Sequence, residues 1–317
     1  MIVASRQGSP SVPTPLDYYA APGSARRGFW RPILGIILIV AGWLLWTVLV
    51  MSAFVLIKLA SGLGVSGALE ALSDFIEISS PASVIFKLAT FAGIWPTVWL
   101  VLKLLHGQRF GTLLSPEGRM RWGDFGGGLL LAAGFWFVTM VIGLALVGLP
   151  QRTDVPLSLW LMAFAPLALT VFLQASAEEL IFRGYILQQL AVRWRSPLIW
   201  GFLPAFLFGA AHYSSGSELG IGWHYMAVTL MFGLAAAALV WRTGSLAAAM
   251  GLHTGMNLFS LSGIGLKGII EGTQLYLYDA AGARILFIAD GVATFCILLL
   301  VLSPLCPFRA RILASAT

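Results

Sequence analysis

The sequence predicts an all-α polytopic membrane bundle, and three observations point there. Of its 317 residues, 59% are hydrophobic and only 10% charged, against roughly a quarter charged in soluble domains. Mean hydropathy is +0.89, and apolar runs recur along almost the whole chain, more greasy surface than one soluble core hides. The alternating polar and apolar positions of barrel strands are absent, and open backbone cannot face lipid, so the runs read as helices.

Taken in order, residues 1–32 are rich in Ser, Pro, Gly and Ala and lack an apolar core. They read as a flexible tail leading to Arg26, Arg27 and Arg31, not as a secretory signal peptide. Residues 33–308 are expected to form a single transmembrane domain, with a short C-terminal tail at 309–317. A crossing helix needs about 20 apolar residues, and this ruler marks eight spans. They are roughly Ile33 to Ile57, Val84 to Leu105, Gly127 to Leu149, Leu157 to Ala177, Leu198 to Ala211, His224 to Trp241, Ser245 to Leu261 and Ile285 to Leu305. The fifth is short and contains Pro204, so it is expected to kink or to tuck among its neighbours.

The net charge of +6 comes from 19 Lys and Arg against 13 Asp and Glu. The cations are scattered between apolar runs rather than gathered in a patch, so they speak to topology and not to nucleic acid. Lys and Arg accumulate on the cytoplasmic side. With both termini cytoplasmic, that side holds Arg6, Arg26, Arg27, Arg31, Lys103, Arg109, Arg119, Arg121, Arg183, Arg193, Arg195, Arg242, Arg309 and Arg311, or 14 of the 19. The other five are Lys58, Lys87, Arg152, Lys267 and Arg284, and the first outer loop carries Glu70, Asp74 and Glu77 instead. The two cysteines, Cys296 and Cys306, have no metal-type spacing and imply neither a disulfide framework nor a thiol site. The halves of the chain show no repeat, which weakens an inverted-repeat transporter reading.

An ionisable side chain within the bilayer costs on the order of 2.5 to 3.5 kcal/mol on insertion scales and so needs a reason. Lysines near span ends can snorkel to the interface. Beyond these, the spans hold Glu178, Glu179, Arg183, His212, His253 and Asp290. All but Asp290 lie on spans four to seven and can converge. In SAEELIFRG (Ser176 to Gly184) the i, i+4 spacing pairs Glu179 with Arg183, while Glu178 points about 100° away and is left over. A spare carboxylate in an apolar setting suits general acid or base work, although the same residues also suit a membrane boundary. In FGAAH (Phe208 to His212) small residues allow close helix approach. In HTGMN (His253 to Asn257) the same spacing puts an imidazole and the only asparagine of the chain on one face. That pair suits an oxyanion site or, equally, a polar clamp between helices.

Together these residues are a parts list for hydrolysis. Glu178 and His212 can hold and deprotonate a water, and His253 and Asn257 can stabilise a tetrahedral oxyanion. Glu178, His212 and His253 are also a conceivable Zn²⁺ set with an open fourth position, although HExxH is missing. Cofactor use therefore stays open between zinc and none. The nucleophile-elbow pattern Gly-x-Ser-x-Gly does not occur, and no phosphate loop or dinucleotide fingerprint stands out.

EELIFR, FGAAH and HTGMN, in this order on membrane spans, resemble the EExxxR, FxxxH and HxxxN/D motifs of the CPBP (Abi) family. That family comprises type II CAAX prenyl endopeptidases and bacterial relatives associated with bacteriocin processing and self-immunity. The resemblance covers about residues 157–261. It implies an eight-helix intramembrane endopeptidase, often called a metalloprotease, for which a metal-free, glutamate-dependent mechanism is also argued. By motif position, Glu178 would activate water with help from His212, His253 and Asn257 would stabilise the oxyanion, and Glu179 with Arg183 would hold the helix, Phe208 being the first residue of the second motif. The expected partners are the lipid bilayer and a peptide or membrane-protein substrate, with no nucleic acid, in a bacterial inner membrane. A non-enzymatic immunity or scaffold protein, or a proton-coupled transporter, would use the same polar cluster differently. Glu178 and His212 each lie 17 residues from Arg195, so antiparallel helices would bring them level. At 1.5 Å per residue that is about 25 Å from the hairpin tip, deeper than the charges suggest.

Overall fold

A computed structural model describes residues 13–26, 28–78 and 80–308. The C-terminal tail expected at 309–317 and residues 1–12 of the N-terminal tail lie outside the described residues. The remainder of the N-terminal segment is not a free tail. Helix α1 (Pro15–Ala20) starts at a capping box in which the Thr14 hydroxyl accepts from the Asp17 N–H and the Asp17 carboxylate accepts from Thr14, satisfying two orphan donors. Leu16 and Tyr19, three apart, are buried on one face of it. A single turn with two anchors is too short to register as an apolar run, which is why composition reads it as tail.

Helix α2 (Trp30–Lys58) runs into a wide turn and breaks at Gly62, where φ is +89°. The chain then returns as α3 (Gly64–Glu77), a helix where a loop was expected. Phe75 and Ala71 of α3 pack on Phe54 of α2. Next come α4 (Pro81–Ala89), α5 (Ile94–Val101) and α6 (Trp122–Leu146). Helix α7 (Leu157–Glu179) passes through a π-helical turn, Leu180–Ile186, into α8 (Leu187–Ala191). Helices α9 (Leu203–Ala211), α10 (Gly222–Thr243), α11 (Ala247–Ser262) and α12 (Ala283–Leu302) follow.

Among the described residues six stretches are long and apolar enough to cross a membrane: Trp30–Gly62, Pro81–His106, Trp122–Leu146, Leu157–Ala191, Gly222–Thr243 and Ala283–Leu302. The chain is an integral membrane protein. The fifth and seventh of the eight expected spans fall short of that length. They are α9, entered through a wide turn at Leu198–Phe202, and α11 with 16 residues. Helix α11 is buried from Ala247 to Gly255, so its small and polar residues face protein instead of lipid. A small sheet also joins the loops, with β1 (Gln151–Arg152) antiparallel to β3 (Tyr276–Tyr278) and β2 (Ile264–Leu266) parallel to it.

The most extensive helix pair is α6 with α11. A Cβ at Gly251 would strike the Phe125 carbonyl oxygen and one at Gly128 that of Ala248, so backbone meets backbone only because both positions are glycine. Helix α10 packs against α9 and α12, and α7 against α4 and α11. Both described ends reach the α10–α11 turn. Pro15 O lies against Gly244, and Arg242 Nε donates to Phe308 O at 3.3 Å.

Candidate active site

The polar centre lies where the last turns of α7 meet α9, α10 and the middle of α11. Arg183 and Glu179 are 0% exposed, and Arg183 Nη1 donates to Glu179 Oε1 at 2.9 Å. The π-helical turn begins directly after Glu179, and such wide turns recur at functional sites. The guanidinium carbon sits 4.5 Å from the Phe208 ring centroid and 5.5 Å from that of Phe232, so cation–π contact supplements a single ion pair. It fits because residue 233 is glycine, where a Cβ would come 2.8 Å from Ala205 Cβ and 2.9 Å from Arg183 Nη2.

His253 joins the same carboxylate from α11. Its Nδ1 is 2.9 Å from Glu179 Oε1. That oxygen already accepts from Arg183, so Nδ1 is the donor. Its Nε2 faces Glu178, 3.6 Å from Oε2. This separation is too long for a direct hydrogen bond. The ring is held edge-on to Phe208 at 5.8 Å and lies 4.7 Å from Phe232.

His212 and Asn257 stand at the margins and are half-buried. His212 Nδ1 is 2.8 Å from Phe208 O. A carbonyl only accepts, so Nδ1 again carries the proton and neutral His212 offers Nε2 as an acceptor. Its ring packs on Phe208 at 4.5 Å and Tyr225 at 5.9 Å. Asn257 Nδ2 donates to Gln174 Oε1 at 2.8 Å. The fold thus brings together Glu178, Glu179, Arg183, Phe208 and His253. Among the described residues neither His212 nor Asn257 hydrogen-bonds to them through its side chain, except for His212 to the Phe208 backbone.

Among the described residues no group of three or more His, Cys, Asp or Glu side chains is arranged to hold a metal ion. His253 Nδ1 bonds Glu179 and His212 Nδ1 a backbone carbonyl, which leaves Nε2 as the remaining nitrogen of each ring, and Phe208 packs against both rings. Buried polar atoms without a protein partner gather here instead: Glu178 Oε2, Glu179 Oε2, Arg183 Nε and Nη2, Ser176 Oγ and Thr254 Oγ1. Each such atom costs about 1 to 3 kcal/mol of desolvation, so the cluster is poorly suited to stability alone.

Sequence reasoning limited to ionisable groups passes over Gln174, whose signal was available, since it is an amide four residues before Glu178 on the same helical face. It also gives Glu179 one partner where the fold provides two, because His253 is 74 residues away. Phe232, an apolar residue in an apolar span, carried no signal.

Comparison with known proteins adds three findings. Residues 158–259 match the family described as type II CAAX prenyl endopeptidase Rce1-like, the region in which the three motifs resemble the CPBP family. A Bacillus subtilis (strain 168) protein described as uncharacterized protein YyaK is 27% identical over 186 residues, or 56% of this chain. The chain spans 60% of the length of that relative. No solved structure matches this chain.

Proposed function

We propose that this membrane protein is a CAAX-protease-like intramembrane endopeptidase that hydrolyses a peptide bond with water activated by Glu178. The observation that carries the reading is the unequal state of two adjacent carboxylates. Glu179 is bound by Arg183 and His253, whereas Glu178 Oε2 is buried, without a hydrogen-bond partner, and opposite His253 Nε2. The first is positioned to hold, the second to react.

Glu178 takes a proton from a water lying between it and the histidines, and the hydroxide adds to the scissile carbonyl. Glu179 fixes the orientation of His253 and stabilises its imidazolium form, as the carboxylate does in a catalytic triad. As the imidazolium, with Nδ1–H on Glu179, His253 donates from Nε2 to the oxyanion, joined by the second N–H of Asn257 Nδ2. His212, with Nε2 as acceptor, assists in orienting the water. The proton held by Glu178 then passes to the leaving amine as the C–N bond breaks, which restores the carboxylate. The substrate is a small peptide or a segment of another membrane protein, and the membrane is a bacterial plasma membrane.

The test is Glu178→Gln in purified protein, assayed against a library of membrane-inserted peptides by mass spectrometry. A fall in cleavage of at least about 10², with helicity and thermal unfolding unchanged, is expected. Undiminished cleavage would sink the assignment. A scaffold or immunity protein would keep its phenotype in this variant, and a transporter would yield proton-coupled flux instead of product peptides.

A further inference from the structure

A second polar cluster lies apart from the hydrolytic centre, at the corner where three apolar stretches end. The start of α2, the end of the Pro81–His106 stretch and the end of α8 converge there. His106, 1% exposed, has its Nε2 2.8 Å from the Tyr185 hydroxyl, which reaches Arg31 O at 3.3 Å. Arg26 donates to Leu104 O at 3.3 Å and Arg31 to Leu105 O, and Arg193 Nη1 bonds Gln189 Oε1 at 2.9 Å. The guanidiniums of Arg193, Arg31 and Arg26 all act electrostatically on the His106 imidazole.

Cations around one imidazole repel each other, and Arg26 and Arg31 donate to carbonyls, which do not neutralise charge. Among the described residues no carboxylate forms an ion pair with Arg26 or Arg31. The nearest acid in sequence, Asp17, is engaged by Thr14. Exposed aromatic rings rim the corner: Phe29 is 67%, Trp30 55% and Trp194 36% exposed. Phe29 pairs with Trp194 at 5.9 Å, and Arg31 lies 4.9 Å from the Trp30 centroid. Aromatic rings of this kind sit at the headgroup level of a bilayer. Directly along α2 from them run Ile33, Ile37, Leu44 and Leu45, all exposed.

We infer that this corner binds the phosphate headgroup of an anionic membrane phospholipid, its acyl chains lying along the exposed face of α2. Arginine matches phosphate geometry through paired N–H donors, and basic pockets between helix ends hold such headgroups. The site is independent of the proteolytic reading.

The experiment is native mass spectrometry of the detergent-purified full chain titrated with phosphatidylglycerol, then with phosphatidylcholine. One phosphatidylglycerol is retained in preference. The R26Q/R31Q variant loses affinity about 25-fold, at about fivefold per arginine, while Lys58→Gln, at the other end of α2, binds as the parent does. Equal affinity of R26Q/R31Q and parent would overturn the proposal. An equal loss in Lys58→Gln would reduce it to general charge attraction, and displacement by inorganic phosphate would make it a site for free anions. If the double variant does not fold, the exposed single variant Arg26→Gln carries the test with an expected fivefold loss.

Discussion

At the scale of single residues, the decisive fact is that one carboxylate oxygen serves two partners. Glu179 Oε1 accepts from Arg183 and from His253, so the charge of a fully buried arginine and the orientation of the histidine opposite Glu178 depend on one side chain. Removing one partner of a buried pair leaves an uncompensated charge, at about 3 to 5 kcal/mol. Arg183→Met should therefore lower stability by that order in thermal unfolding, and adding Glu179→Gln should recover much of it. Activity should stay lost in the double variant, because His253 no longer has a charged acceptor. Asn257→Leu tests the other margin: if its amide meets the oxyanion, kcat should fall about 10² to 10³ with unfolding unchanged, whereas a clamp role through Gln174 would show as lost stability instead.

At the scale of elements, close approach of helices positions the site. The α6–α11 contact depends on glycines at 128 and 251. A Gly251→Val variant should be destabilised by about 1 to 3 kcal/mol, as overpacking typically is, which a melting curve in detergent would read. The loop entering α6 is pinned by Glu117, whose carboxylate accepts from Arg121 at 2.7 Å, while Arg121 Nη1 donates to Thr243 O at 2.8 Å. Partial burial pushes the Glu117 carboxyl up, but the hydrogen bonds from Arg121 and Ser115 prevail and hold it below the usual value. A depressed carboxyl stabilises the fold above its unfolded-state pKa, and the contribution is lost as pH falls through the folded value. Glu117→Gln should thus be less stable than the parent near neutrality. The two should converge only in acid below about pH 4.3, the unperturbed value.

At the scale of the whole molecule, the basic segments share one end of the bundle. Arg121 reaches Thr243, Leu114 O accepts from Leu246 N, and Pro15 O lies against Gly244. Helix α1 closes this end. The Tyr19 hydroxyl donates to Leu113 O at 2.7 Å and Arg183 O at 3.2 Å. Burial, reinforced by the charge of Glu179, keeps its pKa well above normal, so it stays a neutral donor. The site lies within a few turns of this end, since His253 is six residues into α11, about 9 Å by helical rise. The hairpin near Arg195 extends beyond it beside α1, where Gln188 Nε2 donates to Tyr19 O at 2.8 Å, which accounts for the large distance counted from the hairpin tip. If this end is cytoplasmic, single cysteines at Ser24 and Pro116 in a background lacking Cys296 and Cys306 should label from the cytoplasmic side. One at Glu271 should label only from the opposite side, and the reverse pattern would invert the topology.

What could be read from residues alone was whatever spacing along one helix dictates. Glu179 and Arg183 are one turn apart and pair, Glu178 is left over, and the spans of unbroken hydropathy at α2, α6 and α12 are present. The three motifs, lying within residues 158–259, were likewise legible. Contacts between helices were not, because helical periodicity says which face a residue occupies and nothing about what meets it. Only the tertiary structure decided that His253 bonds Glu179 and faces Glu178, that Gln174 holds Asn257, and that His212 packs on Phe208 with its Nδ1 on a backbone carbonyl. It also decided that α9 and α11 are short helices, α11 buried over Ala247–Gly255, and that a six-residue turn in the supposed tail closes the bundle. Each of these depends on which backbones can approach, set by glycines whose partners lie far away in sequence.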